Sequence, residues 1–150
     1  MFKLLKIYIG FSILLNITFA SGYQTLILLE FENTSHNLPE DYLRHKLPDL
    51  VREYSKDYYN IEYAGKIEPY LGLNNEKYKD ALILLGKFNI YESAIDISIS
   101  LYDLTTWEKI SNNTYQCISS NFRCIENNLF QLIKKVLLPL STSKQSQNEI

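Results

Sequence analysis

The sequence predicts a two-layer α+β domain, with a mixed β-sheet of about four strands and two main helices packed on one face. Three patterns lead to this prediction. Residues 95–101 alternate strictly between apolar and polar side chains, as a half-buried strand does. Residues 40–58 and 121–138 each repeat apolar residues at helical spacing. Residues 25–33 begin with a short apolar run and end in polar turn formers, which is typical of a buried central strand.

The length and composition indicate one globular domain. The chain has 150 residues, of which 46% are hydrophobic, and this is enough to build a compact core. Its formal net charge is −2, and its lysines and arginines form no cluster. Because nucleic-acid binding usually needs a concentrated basic patch, no nucleic-acid partner is predicted.

The amino-terminal 22 residues differ in character from the rest of the chain. Lys3 and Lys6 precede a mostly apolar stretch at 7–19, and small residues follow it. This pattern predicts a signal peptide at 1–20, with cleavage possible up to residue 22. The alternative is an uncleaved anchor helix, although the apolar stretch is short for a membrane span.

Cleavage would leave a single α+β module at 23–140, followed by a polar tail at 141–150 that is predicted to be disordered. The predicted location is the periplasm or the extracellular space, with no transmembrane span after cleavage. In such an oxidising compartment an even pair of cysteines, Cys117 and Cys124, predicts a disulfide. The alternative is two separately buried thiols.

The first half of the module is predicted to run strand, helix, strand. The helix at 40–58 contains Pro48, which either kinks it or begins its main segment. Residues 58–67 are predicted to form a second strand. Residues 68–80 contain proline, glycine and paired asparagines, and so predict a connector with one helical turn.

The second half is predicted to be a strand hairpin followed by a helix. Residues 81–85 are an apolar strand entry that leads into the alternating stretch 95–101, and residues 106–119 return as an antiparallel neighbour. Ser120 or Asn121 can cap the closing helix. The polar side of the alternating strand predicts that the sheet face away from the helices is polar, and therefore either solvated or in contact with a partner.

Residues that could carry chemistry are few. His36 and His45 flank two acidic residues but do not form a convergent ligand set, so solvated surface is the preferred interpretation. Gly86 lies inside a strand pattern and indicates a bulge or close backbone packing. Trp107 and the tyrosines at 54–70 could form an aromatic ligand surface, but the rim of a small core explains them better. No catalytic residue, metal ligand or cofactor is predicted.

Three short phrases accompany this order of elements: F-x-N-x-S at 31–35, an apolar strand entry ending in glycine at 84–86, and L-x-D-x-x-T followed by tryptophan at 101–107. Together with the order of elements, these phrases resemble a family of periplasmic modules that includes the amino-terminal domain of TolB, CsgG, FlgO and the lipoprotein activators of penicillin-binding proteins. The family's third phrase ends in glycine, and Trp107 replaces that glycine here, which leaves the turn type open. The resemblance implies a non-enzymatic binding or assembly module of the bacterial cell envelope.

The leading functional hypothesis is therefore an exported adaptor that binds an envelope protein through the exposed sheet face or an edge strand. The alternative is a small secreted hydrolase acting on cell-wall or glycan material, with Glu92, Asp96 or Asp103 as acids. The predicted partner-binding face consists of Asp96, Ser98, Ser100, Tyr102 and Trp107.

Overall fold

A computed structural model describes residues 23–35, 41–71, 76–137 and 140 of the protein. The predicted signal peptide, His36, Pro139 and the predicted disordered tail lie outside these residues. The described elements comprise six strands and two α-helices: β1 (Thr25–Leu29), β2 (Glu32–Asn33), α1 (Leu43–Ser55), β3 (Asn60–Ala64), β4 (Leu82–Tyr91), β5 (Ala94–Asp103), β6 (Lys109–Ile118) and α2 (Phe122–Val136).

All six strands belong to one mixed sheet with the order β3-β1-β4-β5-β6, and β2 also pairs with β4. Strands β3, β1 and β4 are parallel, whereas β4, β5 and β6 form two successive antiparallel hairpins. The α+β class and the mixed sheet are confirmed, but the prediction of about four strands is wrong. The stretch predicted as one strand is two, because the chain reverses at Glu92 and Ser93. Glu92 has a φ of 53°, a backbone conformation that is uncommon for residues other than glycine and that the sequence therefore did not predict.

The two helices lie on one face of the sheet, as predicted, and bury the larger apolar core. Leu26, Leu84 and Ile97 contribute to this core from the sheet, and Leu47 and Leu129 from the helices; all five are almost inaccessible to solvent. The strict alternation of residues 95–101 in β5 is also confirmed, because the odd-numbered residues of this stretch are buried and the even-numbered ones are partly exposed.

Pro48 lies inside α1, which remains one continuous helix. A proline has no N–H to donate to the carbonyl four residues earlier, so the Arg44 carbonyl is free of its helical partner. The Phe31 N–H donates to that carbonyl at 3.0 Å. Because of the proline, the Arg44 carbonyl is available to connect the end of β1 to the first turns of α1 through this hydrogen bond.

Gly86 allows close packing inside the helix-side core. A Cβ atom placed on Gly86 would lie 2.3 Å from two ring atoms of Phe31, whose side chain is fully buried. The Phe31 ring thus occupies the space that any larger residue at 86 would need. Close backbone packing, one of the two predicted interpretations of Gly86, is confirmed.

The opposite face of the sheet is covered over its parallel half. The connector forms two 3₁₀ turns, Glu68–Tyr70 and Glu76–Tyr78, and its side chains pack over this half of the sheet. A second apolar cluster forms there, and its buried members are Ile27, Leu29, Tyr70, Ala81, Ile83 and Leu104. The prediction that the whole face is polar is therefore wrong where the connector covers it and right only for the parts of β4, β5 and β6 beyond the connector.

Glu62 on β3 anchors this cover. The hydroxyls of Tyr70 and Tyr78 donate to its carboxylate at 2.9 and 2.8 Å, and the Lys77 ammonium lies 3.0 Å from it. Burial by itself would raise the pKa of Glu62, but the hydrogen bonds from Tyr78, Lys77 and Tyr70 outweigh it and lower that pKa. The carboxylate is thus held in its charged form beneath the connector.

The β5–β6 turn keeps the geometry that the family glycine would suggest. Trp107 has a φ of 58°, in the left-handed region that favours glycine. The Asp103 carboxylate accepts hydrogen bonds from the N–H groups of Thr105 and Thr106 at 2.8 and 2.9 Å. These bonds hold the turn in place although residue 107 carries a large side chain.

Candidate binding face and adjoining edge

The uncovered part of the sheet lies on the non-helical side of β4, β5 and β6, beyond the connector. No described residue packs over it. Register places the side chains of β4, β5 and β6 in cross-strand rows, such as Lys87, Ser98 and Thr114 in one row and Asn89, Asp96 and Gln116 in the next. We call this surface the open face. Its described side chains are mainly small and polar: Lys87, Asn89, Asp96, Ser98, Ser100, Asn112, Thr114 and Gln116.

Hydrogen bonds link these side chains across the β5–β6 hairpin. The hydroxyls of Ser98 and Thr114 lie 2.8 Å apart, and the Ser100 hydroxyl donates to the Asn112 side chain at 2.9 Å. These hydrogen bonds satisfy some of the polar side-chain groups on the open face. A partner could therefore contact it without having to break a charge network.

A third cross-strand group ends the open face near the β4–β5 turn. The Gln116 amide donates to the Asp96 carboxylate at 2.9 Å and also contacts the Tyr91 hydroxyl. Partial desolvation and the negative charge of Asp96 raise the pKa of Tyr91. Tyr91 remains neutral at physiological pH and is 42% exposed, so it offers a ring and a hydroxyl to solvent.

The five predicted face residues do not form one equivalent surface. Asp96, Ser98 and Ser100 lie on the open face. Tyr102 and Trp107 lie at its boundary with the connector, where their rings are 6.4 Å apart and pack against the second apolar cluster. Much of the surface of these two rings is therefore buried. For Trp107 the predicted interpretation as the rim of a core agrees with the structure.

Asp103 does not come together with the other two carboxylates proposed for the hydrolase alternative, Glu92 and Asp96. Glu92 precedes the ten-residue strand β5 and Asp103 ends it. At about 3.4 Å per residue their backbones are roughly 35 Å apart, and those of Asp96 and Asp103 are roughly 23 Å apart. Paired glycosidase carboxylates are at most about 9.5 Å apart. The Asp103 carboxylate moreover accepts the hydrogen bonds that hold the β5–β6 turn.

A separate cleft of about 380 Å³ lies where β1 and β3 end and α1 begins. Arg44 pairs there with two carboxylates, at 3.2 Å from Glu30 and 3.7 Å from Asp41, and His45 lies 3.5 Å from Glu30. The sequence patterns did not predict this cleft, although charged residues directly after a buried strand could have indicated it. Within the described residues, no group of three His, Cys, Asp or Glu side chains could hold a metal ion.

The predicted disulfide is present. Cys117 and Cys124 are bonded, with Cα atoms 6.0 Å apart, and join β6 to the first turn of α2. The side chain of Asn121 caps this helix by accepting the Cys124 N–H at 3.1 Å. The disulfide holds one end of the edge strand β6 against the helical layer.

Among the described helices, none is long and apolar enough to cross a membrane.

The sequence matches no protein-family profile and no curated protein. Solved structures do share the fold. A point variant of the PelC dodecamer from Paraburkholderia phytofirmans has a TM-score of 0.51 at 10% identity, over 73% of this chain and 85% of that one. The PelC dodecamer in another crystal form has a TM-score of 0.50 at 14% identity, over 80% of this chain and 88% of that one. TolB from Acinetobacter baumannii reaches 0.48 at 12% identity, over 77% of this chain and 29% of that one.

Proposed function

We propose that this protein is an exported, non-enzymatic module of the bacterial cell envelope, which binds a protein partner through the open face or the adjoining edge strand β6. One observation carries the proposal. The helices cover one face of the sheet and the connector covers half of the other, so the open face is the part of the sheet that the described chain leaves accessible. It is mainly polar and continuous with β6, which ends the strand order of the described sheet, and such a combination can serve protein–protein recognition.

Two further points support this proposal. Asp103 lies at the opposite end of β5 from Glu92 and Asp96, and the Asp96 carboxylate accepts a hydrogen bond from the Gln116 amide, so we do not pursue the hydrolase function. The PelC structures with this fold are dodecamers, and a protein of this architecture can therefore take part in an assembly. The envelope location rests on the amino-terminal sequence pattern and on the family resemblance.

The test is recovery of a partner from envelope extract with the tagged protein and three variants. Ser98→Arg places a long charged side chain in the middle of the open face, and we expect it to reduce recovery of the partner at least about tenfold. Asn127→Arg adds the same side chain at an exposed position of α2 and should leave recovery unchanged. Ile99→Asp should unfold the domain and abolish recovery.

Equal recovery with the wild type, Ser98→Arg and Asn127→Arg would reject the open face as the binding surface. Melting curves for the two arginine variants, measured beside the wild type, show whether any loss comes from unfolding.

A further inference from the structure

The backbone of β6 presents unused hydrogen-bonding groups along the edge of the sheet. The Ser119 N–H donates to the Ser93 carbonyl, and Ile95 lies opposite Cys117 in the same register. In an antiparallel pair the backbone groups of alternate residues point toward the neighbouring strand. The odd-numbered residues from 111 to 117 therefore bond to β5. The N–H and C=O groups of Asn112, Thr114, Gln116 and Ile118 point away from the sheet.

This edge lacks the features that usually prevent strands from pairing between molecules. Natural edge strands are short or carry charges, prolines or bulges. Residues 111–118 contain no charge and no proline, and the bulge of β6 lies before them at Ile110, between the residues that pair with Leu101 and Tyr102. The opposite edge, β3, has five residues and carries Glu62. Only β6 combines length with the absence of protection among the described edges.

The regular part of this edge is symmetric about Thr114. Asn112 and Gln116, both exposed amides, lie two residues before and two after it. Ile118, which is 59% exposed, lies four residues after it, and the bulge at Ile110 ends the regular strand on the other side. Two copies of this strand, paired antiparallel and centred on Thr114, would place asparagine opposite glutamine on each side of the two-fold axis.

We propose that β6 pairs with β6 of a second copy of this protein in a two-fold, antiparallel arrangement centred on Thr114. The two sheets then form one continuous sheet, and the outward backbone groups of Asn112, Thr114 and Gln116 find partners. The inference rests on the proposed function in that it names a second copy of the protein as the partner of the β6 edge. It leaves Asp96, Ser98 and Ser100 accessible, because they lie one strand away from the new junction.

The first experiment measures the mass of the full chain by analytical ultracentrifugation over a concentration series. We expect the mass to rise from one chain to two. Thr114→Lys places two ammonium groups opposite each other across the two-fold axis, and should weaken the dimer at least about tenfold. Ser98→Lys is the matched control: it removes the same Ser98–Thr114 hydrogen bond and adds the same charge, but away from the edge, and should leave the dimer unchanged.

The second experiment tests the register by cross-linking under mild oxidation. In the proposed pairing Thr114 lies opposite its own copy, at a separation that a disulfide can bridge. Thr114→Cys should therefore form covalent dimers. Asn112→Cys should not, because its two copies would be roughly 13 Å apart, whereas a mixture of Asn112→Cys and Gln116→Cys should cross-link.

A single-chain mass at every concentration, with no cross-link at position 114, overturns the inference. An assembly of more than two chains that persists in Thr114→Lys also overturns it. Either result leaves the proposed function standing if Ser98→Arg still reduces recovery of an envelope partner. Conversely, a dimer with the expected cross-links and no partner sensitive to Ser98→Arg supports the pairing and rejects binding at the open face.

Discussion

The parallel and antiparallel halves of the sheet treat their non-helical face differently. In the parallel half, Ile27, Leu29 and Ile83 point away from the helices and are buried beneath the connector. In the antiparallel half, Ser98 and Ser100 occupy the same face and no described residue covers them. Parallel strands are generally buried on both faces, whereas antiparallel hairpins tolerate water on one side. This sheet contains both kinds of pairing, and β4 belongs to both halves because it pairs parallel with β1 and antiparallel with β5.

The difference shows which half of the sheet needs a cover on each face. In the parallel half, the helices bury the apolar side chains of one face and the connector buries those of the other. In the antiparallel half, the helices bury the apolar side chains, and the other face is the one that we propose for binding.

The largest effect should come from truncating a covered residue of the non-helical face. Ile83→Ala removes a fully buried side chain from the second cluster, and we expect a loss of about 2–5 kcal/mol in the free energy of unfolding. Ser100→Ala, on the open face, should cost less than about 1 kcal/mol, because its hydroxyl and Asn112 can both bond to water. Urea denaturation measures both values. Similar losses for the two variants would contradict the division of the sheet into two halves.

A smaller loss is expected on the helix-side face, which both halves share. Gly86→Ala should lower the free energy of unfolding by about 1–3 kcal/mol, because the new methyl group would overlap the Phe31 ring.

Phe31→Leu should relieve that overlap. In a double-mutant cycle the combined loss should be smaller than the sum by at least about 0.5 kcal/mol. Strict additivity would mean that the two residues are not in tight contact.

The smallest effect concerns the anchor of the connector. The pKa of Glu62 is lowered from its ordinary value of 4.5, so its charged form stabilises the fold above that pH, and this contribution is lost as the pH falls through the lower pKa of the folded state. Glu62→Gln should therefore be less stable than the wild type at pH 7 by less than about 1 kcal/mol, since the carboxylate is 30% exposed.

The stability gap between wild type and Glu62→Gln should narrow between pH 5 and pH 3. Unfolding curves at each pH check this behaviour. A gap that stays constant would show that the Glu62 carboxylate does not anchor the connector through its charge.

Much of the fold follows from local patterns. The alternation of β5, the apolar stripes of both helices and the oxidising context of Cys117 and Cys124 were each sufficient to predict the element or the bond that the structure contains. The turn at Glu92 was missed because neither Glu92 nor Ser93 is a typical hairpin residue, and only the pairing of β4 with β5 imposes the left-handed conformation there. Asp96, Ser98 and Ser100 of the predicted face lie on the uncovered side of β5, whereas Trp107 packs against a cluster formed by distant segments, and partner binding at this face stays a prediction.

The sequence by itself determined which residues face the helices, because side-chain periodicity is a property of each strand and helix. It also determined that the side of β5 away from the helices is polar. Only the tertiary structure decided how far that polar side extends, because the connector reaches β1 and β4 through contacts between residues far apart in the chain. The tertiary structure likewise decided that β6 is an edge, since strand order is set by packing and pairing rather than by any local signal.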